Sequence, residues 1–226
     1  MKRIMILLLA AVMLLSLAAC GSSKNEPVTS NVPQDTAKNN ENTEAESNGS
    51  SSAGSVSGAE ESKESGKTLV VYFSWSGNLD KMAHWVADET GGDLVRVTAK
   101  EAYPENYNDT ANRAKKEQDD GVRPAINVDL TAEQFAKYDT VFFGFPVWWY
   151  DLPMTMWTFL ESYDFSGKTV IPFFSHEGSS NGASALPRIE ELAKGATVRT
   201  SDALSIRGGN VASSEENVRE WVKGLD

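Results

Sequence analysis

The chain has 226 residues, of which 32 are acidic and 21 basic, for a formal net charge of −11. That balance argues against nucleic-acid binding, which requires a basic surface stripe, and leaves a cationic partner or an electrostatically steered encounter open. Cys20 is the only cysteine, so the chain has no internal disulfide.

The first twenty residues predict an export signal. Lys2 and Arg3 precede an apolar run over residues 4–17, and small residues then lead to Cys20. The ending Leu-Ala-Ala-Cys resembles the bacterial lipoprotein box. The resemblance implies that Cys20 is lipidated and anchors an exported protein to the membrane. A plain transmembrane anchor is the alternative, although the run is short for a span.

Residues 21–66 contain mainly Ser, Asn, Glu, Gly and Ala, with almost no large apolar side chain. Such a segment cannot bury enough apolar surface to offset the entropy lost on ordering. We therefore predict a disordered tether. Residues 67–226 form the remaining unit, which is long enough for one domain with its own core.

The first element of that domain is a strand over residues 68–73, apolar on both faces as in a buried parallel strand. Small polar residues follow, and an amphipathic helix then begins near Leu79. Strand, polar glycine turn and helix together favour anion binding, because loop amides and the helix N-terminus converge there. An ordinary turn capped by Ser76 or Asn78 is the alternative.

The sequence Ser-x-Ser-Gly-Asn in this turn resembles the phosphate loop of the flavodoxin family, Thr/Ser-x-Thr-Gly-Asn-Thr. The family binds FMN, so the resemblance implies phosphate contacts from one loop: Ser74, Trp75, Ser76, Gly77, Asn78 and Leu79. Leu79 replaces the usual hydroxyl residue, and Asp80 adds a negative charge nearby.

The middle of the domain predicts a second strand over residues 93–98, a charged helix over 109–119 and a short segment over 130–138 capped by Thr131. Between the strand and the helix lies Tyr-Pro-Glu-Asn-Tyr, residues 103–107. This motif also occurs in flavodoxin relatives. No chemistry follows from it, and packing of its tyrosines on the domain is the simplest expectation.

The next strand, over residues 139–146, is followed by an aromatic-rich loop and a helix from Met154 to Ser162. Three consecutive aromatic residues cannot all face one core, so at least one ring is expected to face a cavity or solvent. The segment resembles the second flavin loop of a flavodoxin subgroup, which implies ring contacts from Pro146, Val147, Trp148, Trp149 and Tyr150. The alternative is that both tryptophans are buried structural residues.

A fourth strand over residues 167–175 leads into a polar loop before a helix containing Leu186, Ile189 and Leu192. The subgroup has a His-Gly-Gly-Ser loop here, which implies contacts with the flavin edge from Ser175, His176, Glu177, Gly178 and Ser179. Glu177 departs from the subgroup. His176 tunes the flavin potential in one interpretation and is an ordinary loop histidine in the other. Metal ligation is poorly supported, since no second histidine or cysteine lies nearby.

The chain ends with a strand over residues 196–206 and a helix capped by Ser213 or Ser214. Arg207 is expected in a structural salt bridge. Residues 177–184 faintly resemble a signal for covalent FMN attachment, which would make Ser184 the acceptor.

The alternation of strands and helices predicts an α/β domain with a doubly wound, five-stranded parallel sheet. Its ligand should lie beyond the carboxyl ends of the strands, at the point where the strand order reverses, a rule that the flavodoxin family itself follows. Three functions remain open: a membrane-tethered FMN electron carrier with a partner protein or small-molecule acceptor, an FMN-dependent NAD(P)H:quinone-type reductase, and a flavin-free binding module.

Overall fold

The computed structural model describes residues 66–178, 182 and 184–225. The predicted signal, the lipidated Cys20, the tether and Ser179 lie outside these residues. None of the described helices is long and apolar enough to cross a membrane.

The described residues form one sheet flanked by helices. The strands are β1 (Lys67–Phe73), β2 (Asp93–Ala99), β3 (Ile126–Asn127), β4 (Tyr138–Pro146), β5 (Thr169–His176), β6 (Thr197–Val198) and β7 (Leu204–Arg207). The helices are α1 (Asn78–Thr90), α2 (Tyr107–Asp119), α3 (Ala132–Phe135), α4 (Met154–Ser162), α5 (Ala185–Leu192) and α6 (Glu215–Lys223).

The sheet order is β3-β2-β1-β4-β5-β6, and β7 also pairs with β5. All pairings are parallel except that of β2 with β3. This confirms the doubly wound α/β architecture. The order of strands reverses between β1 and β4, so their carboxyl ends form the switch point at which such folds bind ligands.

The strand count differs from the predicted five for two reasons. The predicted last strand is divided into β6 and β7, which pair with the start and the end of β5. A 3₁₀ helix (Thr200–Asp202) separates them, because polar residues interrupt the apolar pattern. β3 was not predicted, since two residues carry no detectable alternation.

The core lies on both faces of the sheet. Val70 and Tyr72 of β1 face a cluster that contains the buried face of α1 and Val218 of α6. Leu69 and Val71 face a cluster that includes residues of α4 and α5. β1 is buried on both sides, as its apolar sequence predicts.

Helix boundaries largely follow the sequence signals. Thr131 and Gln134 form the predicted capping box of α3. Ser214 occupies the cap position of α6, but its hydroxyl donates to the carbonyl of Asn210 instead of accepting a helix amide. Ser213 donates its hydroxyl to the same carbonyl in the preceding 3₁₀ turn, so neither serine makes the predicted capping bond. No ion pair of Arg207 occurs among the described residues.

Candidate functional site

A pocket of about 330 Å³ opens at the carboxyl ends of β1, β4 and β5. It falls within the size range of small-molecule and cofactor sites. Its walls combine the three predicted loops with one face of α2: Trp75, Ser76, Asn78, Tyr107, Thr110, Ala111, Ala114, Pro146, Val147, Trp148, Trp149, Tyr150, Ser175, His176 and Glu177. The fold thus brings together most of the residues that the sequence singled out.

The first wall is the loop between β1 and α1. Gly77 adopts a left-handed conformation (φ 87°), and its amide donates to Ser74 Oγ at 3.1 Å. No described side chain caps α1, so neither Ser76 nor Asn78 plays the capping role that was the alternative. The first amides of a helix have no partner within it, which leaves this helix end suited to an anion.

Of the predicted residues that the structure describes, four do not line the pocket. Ser74 is buried, and its hydroxyl is engaged by Gly77 within the loop. Leu79 packs in the core on α1, so its side chain does not face the pocket. Gly77 and Gly178 supply left-handed turns, at φ 87° and 117°.

The second wall is a tight aromatic turn after β4. Trp148 and Asp151 exchange two backbone hydrogen bonds of 2.9 Å, and Trp149 (φ 47°) and Tyr150 (φ 68°) lie between them with left-handed backbones. Two positive φ values correspond to a type I′ turn, which normally requires Gly, Asn or Asp. Bulky residues in this conformation are strained.

The two tryptophans occupy different environments. Trp148 packs edge-on against Tyr103 and Phe73, with ring centroids 5.0 and 5.4 Å away. Trp149 is 44% exposed and donates its indole N–H to the carbonyl of Ala111 at 2.8 Å. Trp149 thus meets the expectation that at least one of the three consecutive rings faces a cavity or solvent.

Asp151 holds the base of the turn. Its Oδ1 accepts the amide of Leu152 at 2.7 Å, and its Oδ2 lies 3.5 Å from Arg188 on α5. Burial raises the pKa of the Asp151 carboxyl, and the Leu152 amide and the Arg188 charge offset this only in part.

The third wall comes from the end of β5. Ser175 is buried, and its carbonyl accepts the amide of Val147, which joins the second and third walls. The Nδ1 atom of His176 is buried with no described partner. Glu177 is exposed, and its carboxylate lies beside Gly208, where an added Cβ atom would also lie 2.8 Å from the side-chain Nδ2 of Asn78. Because Gly208 has no side chain, the chain after β7 can lie close to both the first and the third wall.

The face of α2 was not predicted as part of the site. The carbonyl of Pro104 accepts both Trp75 Nε1 at 2.9 Å and Thr110 Oγ1 at 2.6 Å, which fixes α2 against the first loop. Tyr103 packs inward as expected, and its hydroxyl donates to Glu117 at 2.6 Å. Tyr107, by contrast, is 68% exposed and faces the pocket. The Tyr-Pro-Glu-Asn-Tyr motif, which includes Tyr107, is the sequence feature that could have indicated this wall of the pocket.

Two further features bear on the chemistry of the site. Among residues 66–178, 182 and 184–225, no three His, Cys, Asp or Glu side chains are grouped as metal ligands would be. Ser184 is exposed at the start of α5, outside the residues that line the pocket.

Comparison with known proteins agrees with this geometry. Residues 67–225 match the family model described as flavodoxin, and the chain belongs to that family. A structure from Bacteroides uniformis, provisionally classed as a flavoprotein, has 34% identity and a TM-score of 0.59, covering 70% of this chain and 98% of its own. A flavoprotein from Lactobacillus acidophilus in complex with FMN has 26% identity and a TM-score of 0.53, covering 66% and 98%.

A Bacteroides eggerthii structure with the same provisional class has 27% identity and a TM-score of 0.57, covering 70% and 97%. None of the curated proteins compared with the chain matches it.

Proposed function

We propose that this protein is a membrane-tethered, extracytoplasmic flavodoxin that binds FMN without a covalent bond and transfers electrons. FMN binding rests on one observation above all: an uncapped helix end and an aromatic turn face the same pocket at the switch point of the sheet. The family match and the FMN-bound relative support the same cofactor.

The described residues fit the two chemically different ends of FMN. Ser76 and Asn78 stand at the N-terminus of α1, where side-chain donors and free amides suit a phosphate. Trp148 and Trp149 line the pocket with flat π surfaces that suit a tricyclic ring. When bound, FMN supplies the one- and two-electron chemistry, while the protein supplies binding, orientation and electrostatics.

The charge around the site determines the direction in which the protein shifts the reduction potential of the flavin. Glu177 lines the pocket, and the whole chain carries a net charge of −11. Reduction adds negative charge to a flavin, so a nearby carboxylate lowers the reduction potential. His176 would raise the potential when it is protonated.

The tether and the compartment are inferred from the sequence of residues 1–66. The lipoprotein-like box ending at Cys20 supports anchoring through lipid. The acidic composition supports an encounter with a cationic redox partner or a small-molecule acceptor, and nucleic acid is not proposed as a partner.

A spectroscopic titration tests FMN binding. The full chain should give the absorption bands of a bound flavin, and the apoprotein should bind FMN more tightly than riboflavin, since only FMN carries the phosphate. A colourless protein that binds neither compound would favour a flavin-free binding module.

Fractionation tests the tether. Replacing Cys20 by Ala should release the domain from the membrane fraction or leave the signal uncleaved. A processed Cys20→Ala protein that still sediments with membranes would refute lipid anchoring at this residue.

A reductase is the second candidate function. Tyr107 and Tyr150 line the same pocket and are 68% and 56% exposed, so aromatic surface remains accessible at its mouth for a second planar molecule. Rapid reduction of the bound flavin by NADH or NADPH would favour a reductase, and slow reduction by both would favour an electron carrier.

A further inference from the structure

Arg96 lies next to the proposed phosphate loop, although it belongs to β2 and is absent from the loop motif. In the parallel register Arg96 is paired with Tyr72, so both side chains project from the same face of the sheet, the face covered by α1. Arg96 Nη2 donates to the carbonyl of Ser74 at 3.0 Å, and Nη1 lies 3.5 Å from Asp80 Oδ1.

Asp80 explains why this cation matters. It stands in the first turn of α1, where a carboxylate stabilises the helix but opposes any anion bound at the same helix end. The hydroxyl of Tyr72 donates to Asp80 Oδ1 at 2.6 Å and holds the carboxylate in place. Arg96 is thus the partner that offsets the Asp80 charge at this helix end.

The ion pair is poorly placed to serve stability alone. The Arg96 and Asp80 side chains are 48% and 38% exposed, and ion pairs of such exposure contribute little to folding because water screens them. The hydrogen bond from Arg96 to the Ser74 carbonyl is more specific, because it fixes a carbonyl inside the loop that would surround the phosphate.

We propose that Arg96 is a positioning residue that makes the pocket selective for phosphorylated flavin. It orients the loop through the Ser74 carbonyl and neutralises Asp80, so that the end of α1 presents net positive potential to the phosphate. The inference rests on the proposed FMN function and concerns the phosphate end of the ligand alone, so riboflavin should be indifferent to it.

The test compares the full chain carrying Arg96→Gln with one carrying Arg199→Gln. Arg199 is a matched control: its side chain is 34% exposed, it pairs with one carboxylate, Asp202, and it donates to one carbonyl, that of Leu225, at 2.9 Å. Its amide bonds to Val170 near the start of β5, at the sheet edge opposite the pocket. FMN and riboflavin are titrated against each apoprotein by flavin fluorescence, with circular dichroism recording the fold.

We expect Arg96→Gln to weaken FMN binding about tenfold, as for one lost charge-assisted bond, and to leave riboflavin affinity unchanged. Arg199→Gln should change the affinity for neither ligand. Asp80→Asn should have the opposite effect and tighten FMN severalfold, which tests the idea even if Arg96→Gln folds poorly. The inference is overturned if Arg96→Gln weakens both ligands equally or neither, or if Asp80→Asn does not tighten FMN. A wild-type chain that binds no FMN would instead overturn the proposed function.

Discussion

Two walls of the pocket, the loop after β1 and the turn after β4, are built in different ways. In the loop after β1 the left-handed residue is a glycine, and its amide is held by Ser74, three residues away in the same loop. In the turn after β4 the left-handed residues carry large side chains. These residues are Trp149 and Tyr150, and Trp149 is bonded to Ala111 on α2.

The difference shows where strain is stored. A glycine adopts positive φ without steric cost, whereas an L-residue with a side chain loses about 1–2 kcal/mol in that region. The turn persists because distant partners hold it, including the ion pair of Asp151 with Arg188. Strain of this kind concentrates at ligand-binding sites, which agrees with the turn lining the pocket.

Truncating Trp148 should give the largest effect on stability. Trp148→Ala removes a ring packed on Phe73 and Tyr103, and we expect a loss of about 3 kcal/mol in the free energy of unfolding. Trp149→Ala, at an exposed ring with one indole hydrogen bond, should cost no more than about 1 kcal/mol. Urea unfolding of both variants checks this, and equal losses would remove the distinction between the two rings.

Ligand titration of the same two variants tests whether either tryptophan also contacts the flavin. At least one of the two substitutions should weaken FMN binding and shift its reduction potential, since ring contacts contribute about 0.5–1.5 kcal/mol beyond burial. Unchanged affinity and potential in both folded variants would assign both tryptophans to the structure alone.

A change of charge in the loop after β1 should weaken phosphate binding. Asn78→Asp removes an amide donor at the end of α1 and adds a carboxylate, so FMN affinity should fall at least tenfold, or about 1.5–3 kcal/mol. Riboflavin binding and circular dichroism should hardly change, because Asp is well tolerated at helix starts. Equal loss of both ligands would show that the loop does not bind phosphate.

Backbone substitutions should separate the glycine loop from the aromatic turn. Gly77→Ala places a side chain at φ 87° and should destabilise the protein by about 1–2 kcal/mol. Beyond the adjoining residues 76 and 78, no described atom lies within 4 Å of the added Cβ, so this loss reports backbone conformation and not a clash. Thermal unfolding measures it, and an unchanged midpoint would contradict a conformational requirement for glycine.

The matching change in the turn should not destabilise the protein. Tyr150→Gly relieves the strain at φ 68° and removes a side chain that is 56% exposed, so we expect stability to stay equal or rise by up to about 1 kcal/mol. The same thermal experiment applies. A clear loss of stability would mean that the tyrosine ring itself supports the turn.

The smallest effect concerns the pH dependence of the turn. Burial raises the pKa of Asp151 in the folded protein, so the folded state keeps its proton to higher pH than the unfolded chain. This group therefore stabilises less as pH rises from the ordinary aspartate pKa of about 3.9 through its raised folded value.

Asp151→Asn lacks that titration. Its destabilisation relative to wild type should shrink as pH rises through this window. Urea unfolding of both proteins across acidic to neutral pH checks the sign, and a difference that grows with pH would contradict it.

Much of the fold was predictable because its signals are local. The apolar run of β1, the glycine at residue 77 and the apolar period of α1 each report on neighbouring residues. Parallel strands place their carboxyl ends at one edge, so the meeting of three loops also followed from the sequence. The two-residue β3 and the split of the last strand did not, since their patterns are shorter than the period that identifies a strand.

The sequence by itself determined the architecture, the edge that carries the pocket and most of the loop residues that line it. Only the tertiary structure decided how those residues divide their roles. Leu79 lies in the core, Tyr107 faces the pocket and Arg96 supports a loop 22 residues earlier in the chain. The physical reason is that local patterns record the period of a strand or helix, whereas burial and pairing between distant residues depend on how the packed elements meet.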